Sequence, residues 1–299
     1  MILVDHLLIG TAVGLSLSSN DPSIITTTVL ASLMPDIDSI FFRPGKISYL
    51  TYHRTVTHSM FFAPLYAIII ALICKLIFYE TTLGILVYSA FWGIVSHLIV
   101  DIFNGFGTMV FYPISKKKIH LDLIYEFDPI FSLMFLGITI EFYFLGENIT
   151  SSIISLNLFL IVMYYFSRLA SKRKFLRNIK IQFPDIFQDS FKLNLVPAKY
   201  WRWKGIVKKN NVHYVFRKIK KVIEVEKRKI NDIPKSLMNP NIREYVDYAR
   251  NLDVEIAPKE LILKNLIYSP SVYTLKMKTE GPEKNNINIS IPNIKYDDY

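Results

Sequence analysis

The sequence predicts an α-helical membrane bundle of about six helices over residues 1–170, followed by a small, mainly β (α+β) domain over residues 171–299. Three observations carry this reading. Hydrophobic residues make up 51% of a chain whose formal net charge is +10, an unusual pairing for a soluble basic protein. Four long apolar runs, at 59–79, 83–103, 129–146 and 150–170, suit the roughly 30 Å hydrocarbon core of a bilayer at about 1.5 Å per helical residue. The charge is also divided. Residues 1–170 hold 8 Lys/Arg against 11 Asp/Glu, and residues 171–299 hold the other 27 against 14. A weakly acidic apolar half joined to a strongly basic half reads as a membrane domain followed by a soluble one.

The opening, Met1 to Asn20, has an apolar stretch but no basic n-region; Asp5 and His6 stand where Lys or Arg would be expected of a secretory leader. It is therefore expected to remain in the mature chain. Two shorter apolar segments, 6–19 and 22–35, predict a helical hairpin broken at Ser18-Ser19-Asn20-Asp21-Pro22. With the four longer runs they give six helices. The single cysteine, Cys74, lies inside an apolar run and leaves no intramolecular disulfide framework.

The loops set an expected orientation. On an up-and-down path, one side of the membrane receives Arg43, Lys46, Arg54, Lys116, Lys117, Lys118, Lys172, Arg173, Lys174 and Arg177. The other receives only short turns near Asp21, Glu80 and Glu147, with Lys75 just before one of them. The positive-inside rule makes the first side cytoplasmic, so a multi-pass protein of a bacterial-type inner membrane is expected, with its C-terminal domain in the cytoplasm.

Chemistry-bearing residues gather on that same side. Asp5-His6 opens the first helix, and Pro35-Asp36-Ile37-Asp38 closes the second, where the proline marks the point at which the helix gives out. His53-Arg54-Thr55-Val56-Thr57-His58-Ser59 runs into the third helix. His97 and Asp101, four residues apart at the end of the fourth, share one helix face. Imidazole and carboxylate together suit a divalent metal, zinc first and manganese as a neighbour in preference. A His/Asp site with open positions lowers the pKa of water and polarises the bond to be cut. Asp36 and Asp38 can face one way only if their segment is extended.

Plainer readings stand beside this one. A lone His-x-x-x-Asp is often structural, His6 can be a satisfied polar residue at a helix start, and Asp38 can be an N-cap. Co-location at a membrane boundary, where ionisable groups are costly, favours function. Asp128-Pro129 reads as a cap of the fifth helix or a group behind the site; His120 and His213 read as surface residues.

At these residues the sequence resembles the YdjM/YfhP-like inner-membrane proteins, a family of membrane-bound, metal-dependent hydrolases by expectation. The matching features are Asp5-His6, Pro35-Asp36-Ile37-Asp38, His53-Arg54-x-x-Thr57-His58-Ser59, His97-x-x-x-Asp101, Asn104-x-x-Gly107-Thr108 and Pro113-x-Ser115-Lys116-Lys117. The family's usual glycine after His-Arg is Thr55 here. Pro197-Ala198-Lys199-Tyr200-Trp201-Arg202-Trp203 resembles the longer, YfhP-type branch. A remoter likeness, to zinc-dependent phospholipase C and P1-type nucleases, implies His6, Asp36, His53 or His58, His97 and Asp101 as metal ligands, Asp101 as a bridge between two ions, and hydrolysis of a phosphate ester. The later histidines of that pattern have no match here. Together these resemblances imply His6, Asp36, His53, His58, His97 and Asp101 as the metal set and Asp36, Asp38 and His58 as the catalytic set, acting on a membrane lipid or lipid-linked phosphate.

The C-terminal half predicts a hairpin at 206–216 around Asn210-Asn211, strands near 219–226, 261–267, 271–278 and 287–291, and a helix at 240–252. Its basic charge suits the anionic inner leaflet; no zinc finger, RNP motif or helix-turn-helix recommends nucleic acid. Two other functions stay open: a regulator or scaffold with a structural metal site, and a metal transporter or sensor. The transporter suffers from largely apolar mid-span positions. A serine hydrolase built on Ser59 or Ser96 would lack an acid–base pair once a metal takes His58 and His97.

Overall fold

Local capping chemistry divides the apolar N-terminal half into its helices. The computed structural model describes residues 3–18, 21–41, 52–125, 128–148, 151–188, 191–199, 202–210, 212–219, 222–229, 233, 242, 252–257, 260–265, 274–278 and 287–290. Among them, six helices exceed ten residues: α1 (Leu3–Leu17), α2 (Pro22–Leu33), α3 (Ala63–Ile77), α4 (Leu83–Phe103), α5 (Pro129–Leu145) and α6 (Ser151–Gln182). Asp21 starts α2 by accepting the Ser23 amide at 2.8 Å, with Pro22 in the first helical position. Asp128 does the same for α5, accepting the Ile130 and Phe131 amides ahead of Pro129. That settles Asp128 as a cap. α2 runs on into a 3₁₀ turn, Met34–Ile37, and one helical turn, Asp38–Phe41.

α6 departs from expectation. Its apolar run ends near residue 170, yet the helix continues to Gln182. Lys and Arg are good helix formers, so the arrival of charge ends the membrane-compatible stretch without ending the helix.

α4 is the central helix of this half, packed against α1, α2 and α3, while α1 also meets α5. Ala31, Ala63, Ala67, Ala71, Ala90 and Cys74 are fully buried at these contacts. Small residues let helix backbones approach closely where apolar surroundings offer little drive to association. At Gly93 a Cβ would collide with the backbone itself, 2.4 Å from the carbonyl oxygen of Thr28 on α2. The closeness matters because it draws the start of α1, the end of α2 and the end of α4 to one point.

The outward faces are apolar. Leu65, Ile69, Leu72, Leu76, Leu133, Leu158 and Phe159 are all exposed, as suits helices that face lipid. Among the described residues, α4 and α6 are long and apolar enough to cross a membrane. In α6 only 11% of the apolar stretch is buried, which suits a lipid-facing helix. α1, α3 and α5 are apolar but only 15 to 17 residues long.

The chain divides into two compact units, one holding Met1–Phe41 and His53–Ser171, the other taking in the end of α6 and the strands. The second contains two four-stranded meanders. The first is β1 (Lys192–Lys199), β2 (Arg202–Lys209), β3 (Val212–Ile219) and β4 (Val222–Lys229); the second is β5 (Leu252–Ala257), β6 (Glu260–Asn265), β7 (Thr274–Lys278) and β8 (Ile287–Ser290). The expected hairpin is β2–β3: Lys209 pairs with Val212, and Asn210 takes φ +48°, the left-handed conformation that short hairpin turns need. Val196, Ile206 and Val215 form its core. β1 and β5 were not expected: Pro197 counts against a strand in one, and the other adjoins the segment assigned to a helix. That helix, at 240–252, falls almost wholly outside the described residues, as do Tyr200 and Trp201. Trp203 is 3% exposed, a core residue rather than a lipid anchor.

Gly93→Val is expected to lower the melting temperature of the detergent-solubilised protein, by about 1–3 kcal/mol of overpacking. Gly84→Ala, where a Cβ meets nothing within 4 Å, is the control and should leave it unchanged.

Candidate metal centre

Four elements supply the site. His6 comes from the first turn of α1, Asp36 from the 3₁₀ turn after α2, His58 from the segment leading into α3, and His97 and Asp101 from the end of α4. His6, His58, His97 and Asp101 are each 0% exposed, and Asp36, at 16% on its side chain, reaches the outside.

Their donor atoms converge. His58 Nε2 lies 3.2 Å from His97 Nε2, 3.4 Å from Asp36 Oδ1 and 3.4 Å from Asp101 Oδ2. His97 Nε2 lies 3.6 Å from Asp101 Oδ2 and 3.8 Å from Asp36 Oδ1. His6 Nε2 adds contacts of 3.5 Å to Asp101 Oδ1 and 3.9 Å to Asp36 Oδ2, and its ring stacks on His97 with centroids 3.7 Å apart. Ligands held about 2.0–2.2 Å from a tetrahedral ion sit roughly 3.3–3.6 Å from one another. The observed spacings are of that size.

The ring tautomers follow from the outer hydrogen bonds. His97 Nδ1 is 2.7 Å from the Ser32 carbonyl, which can only accept, so Nδ1 carries the proton and Nε2 presents its lone pair inward. Thr57 Oγ1 donates to Asp38 Oδ2 at 2.7 Å, leaving its oxygen to accept from His58 Nδ1 at 3.0 Å. His58 Nε2 therefore also points inward. Two imidazole lone pairs cannot face each other across 3.2 Å unaided. A cation, either a proton or a metal ion, has to lie between them.

The charges agree with this. Burial would lower the pKa of His58, but hydrogen bonding to Asp101 and Asp36 outweighs it and holds the imidazole above its ordinary 6.5. Burial would raise Asp36, yet its hydrogen bond to His58 and the charge of His97 pull it well below the usual carboxylate range. Asp38 is likewise depressed by its hydrogen bond to His53, against its burial. His53 is lowered, chiefly by burial and in spite of Asp38.

The expected residues divide between two layers. Three groups could hold an ion, with donor atoms within 4.8 Å of one another: His6, His97 and Asp101; Asp36, His58 and His97; and Asp36, Asp38 and His53. Of the His53/His58 alternatives, His58 faces the centre. His53 Nδ1 is turned onto Asp38 Oδ1 at 2.7 Å. Asp38 also accepts the Arg54 amide and the Thr57 hydroxyl, so it serves as the hub behind His53 and His58.

Arg54 stands out as a participant that the sequence reading left without a role. It takes φ +65°, a region disfavoured for side-chain-bearing residues, with its amide on Asp38 and its carbonyl accepting from Met109. This turn brings its guanidinium to 3.3 Å from Asp101 Oδ1 and over the Phe106 ring. A buried arginine between two histidines of one motif was the available signal. The Asn104-x-x-Gly107-Thr108 motif braces the same loop. Gly107, at φ +69°, lets Thr108 pair with Ile119, and the Thr108 hydroxyl reaches the His58 carbonyl.

Other candidates fall away from the centre. His120 is half-buried beside Asp122, and His213 is 3% exposed within β3, so it is not the surface residue expected. Ser59 and Ser96 donate their hydroxyls to the carbonyls of Tyr112 and Gly93, which leaves neither set up as a nucleophile.

A helical chain with apolar outer faces and a buried His/Asp cluster at the converging helix ends defines a membrane-protein class with a candidate metal centre. The chain belongs to the YdjM inner membrane protein family, whose model matches residues 1–175. It is similar to the "Uncharacterized protein YfhP" of Bacillus subtilis (strain 168), 28% identical over 224 residues, which span 71% of this chain and 66% of that protein, just under two thirds. No solved structure matches, so the likeness to phospholipase C and P1 nucleases gains no structural support.

Asp38→Ala removes the acceptor shared by His53, Thr57 and the Arg54 amide. It is expected to destabilise the 52–62 segment by about 2–4 kcal/mol, read as faster amide hydrogen exchange there and unchanged exchange in β2–β3.

Proposed function

We propose that this protein is a multi-pass, membrane-bound, metal-dependent hydrolase, with zinc or manganese as its ion and a phosphate ester of a lipid, or of another membrane-surface substrate, as its target. The observation that carries the reading is the facing pair of His58 and His97 Nε2 atoms, ringed by Asp36, Asp101 and His6. The donor set fits the group: neutral imidazoles and carboxylates at ligand spacing, with no thiolate among them. A bound divalent ion would supply Lewis acidity and a water of lowered pKa.

The chain's own residues have separable tasks. His6, His58, His97, Asp36 and Asp101 hold the ion. Asp38, through Thr57, keeps the His58 ring turned inward, and the Ser32 carbonyl does the same for His97. Asp36 lies on the accessible edge, where a substrate would arrive. Its depressed pKa suits it to ligation more than to proton uptake. Of the residues expected to be catalytic, Asp36 and His58 are thus read as ligands, and Asp38 as a positioning residue.

A cytoplasmic setting is supported by the basic loops that flank the site, Lys116 to Lys118 among them, and by the basic residues that follow the apolar part of α6. The basic C-terminal domain would then lie against the anionic leaflet. A second reading, a membrane regulator or scaffold with a structural ion, is favoured by one fact: four of the five donors are wholly buried. Turnover separates the two.

In nanodiscs, the zinc- or manganese-loaded protein is expected to release phosphate from phosphatidic acid or a lipid diphosphate, to stop on chelation, and to lose at least about 100-fold in rate in His97→Ala. Bound metal without turnover of any lipid phosphate would favour the scaffold. Metal uptake has a second signature. His58, whose imidazole is held above its ordinary pKa by Asp101 and Asp36, takes up a proton more readily than a free imidazole, and ligation expels it. Calorimetry at pH 7 in buffers of different ionisation enthalpy should show proton release, falling away as pH rises through the pKa of His58.

A further inference from the structure

The five donors of the cluster do not meet at one point. An imidazole nitrogen binds an ion along its lone pair, in the plane of the ring, at about 2.0–2.1 Å. His58 and His97 can share an ion on those terms: their planes are inclined at 67° and their Nε2 atoms face each other at 3.2 Å. His6 and His97 cannot. Their rings stack with centroids 3.7 Å apart and planes only 17° from parallel. An ion bound by both would stand far out of both planes, where neither lone pair points. The lone pair of His6 therefore serves a different position from the one between His58 and His97.

The carboxylates divide in the same way. Towards His58, Asp36 presents Oδ1 and Asp101 presents Oδ2, each at 3.4 Å. The same two oxygens stand 3.8 and 3.6 Å from His97 Nε2. Towards His6 Nε2 each carboxylate presents its other oxygen, Asp36 Oδ2 at 3.9 Å and Asp101 Oδ1 at 3.5 Å. Each thus offers one oxygen to each position. Asp101 Oδ1 also receives the Arg54 guanidinium at 3.3 Å, which an oxygen with two lone pairs accommodates beside an ion.

His6 gives an independent sign of a ligand. Its side chain is fully buried, and neither ring nitrogen has a hydrogen-bond partner among the described residues. A buried polar group in that condition is costly, and a cation at Nε2 satisfies the atom that faces the two carboxylates.

We propose that the cluster holds two divalent ions, one bound by His58, His97, Asp36 Oδ1 and Asp101 Oδ2, the other by His6, Asp36 Oδ2 and Asp101 Oδ1, with both carboxylates bridging. This rests on the metal-hydrolase reading and refines it from one ion to a pair. The first ion has four protein donors, a closed set; the second has three and keeps positions for water and substrate. Paired ions about 3.5–4 Å apart can clamp the attacking and leaving oxygens of a phosphate ester, and rings stacked at 3.7 Å suit ions at that spacing. Asp36 as a second bridge, and His6 as the ligand of a separate ion, come from the geometry alone.

The test is manganese loading of the full-length protein in phosphatidylcholine nanodiscs, read by metal analysis and electron paramagnetic resonance, with melting temperature measured on each sample. The wild type is expected to hold about two equivalents and to show the signal of a spin-coupled pair. His6→Ala and His6→Gln are each expected to keep about one equivalent, with the signal of an isolated ion. A limiting amount of chelator should strip the three-donor ion from the wild type first, leaving that same isolated-ion signal. One equivalent in the wild type, without coupling, would overturn the pair and return all five donors to a single ion. Two equivalents in folded His6→Ala would overturn it as well, since His6 would then bind neither. Should the His6 variants fail to fold, the stoichiometry and coupling of the wild type still decide. A wild type that takes up no metal at all would remove the underlying hydrolase reading, a result the stoichiometry separates from failure of the pair.

Discussion

Two imidazole nitrogens, His58 Nε2 and His97 Nε2, face each other across 3.2 Å with both rings fully buried, and much of the helical unit is arranged around that contact. Neither ring can turn away. The Ser32 carbonyl fixes His97 from behind, and the Thr57–Asp38 pair fixes His58. Both fixings take the outer proton, so both inner lone pairs point at one spot. Asp36 and Asp101 then supply the negative charge that a cation there requires. The arrangement is costly if nothing fills it, because buried charge without a partner is among the most destabilising features a protein can carry.

That cost explains features that would otherwise look unrelated. α1, α2 and α4 must come close for their ends to meet, and glycine at 93 with alanines at 31 and 90 permits it. The 52–62 and 104–124 segments are laced together by backbone pairing, with the Ser59 hydroxyl on the Tyr112 carbonyl and the Met60 amide on the Val110 carbonyl. Those bonds hold His58 and Arg54 against the helix ends. In a family of inner membrane proteins, ionisable residues at helix ends mark function more often than packing.

Much of this was legible in the sequence, for reasons that can be named. The helices of the first half follow from apolar length and from the caps Asp21 and Asp128, and they occur within a few residues of where those signals put them. The cluster was legible because its His and Asp residues lie at the ends of those helices, and His97 and Asp101 share a face by spacing alone. What the residues could not disclose was geometry between elements. Which of His53 and His58 faced the centre depended on His53 closing directly onto Asp38, a contact across fifteen residues of chain. Arg54 was hidden for the same reason, since its partner Asp101 is on another helix. In the second half the alternation of β2 and β3 was plain, whereas β1 was masked by Pro197. The end of α6 was misplaced because apolarity and helicity part company there, the first ending near 170 and the second at Gln182.

The central claim is that a divalent ion, and not a proton, belongs between the two histidines. Metal content of the purified full-length protein, wild type against a His97→Ala, Asp101→Ala double variant of matched melting behaviour, tests it most directly. The account predicts about one or two equivalents of zinc or manganese in the wild type and none in the double variant. A wild type that holds no metal even after reconstitution, while remaining folded, would contradict it and return the cluster to a protonated, structural role.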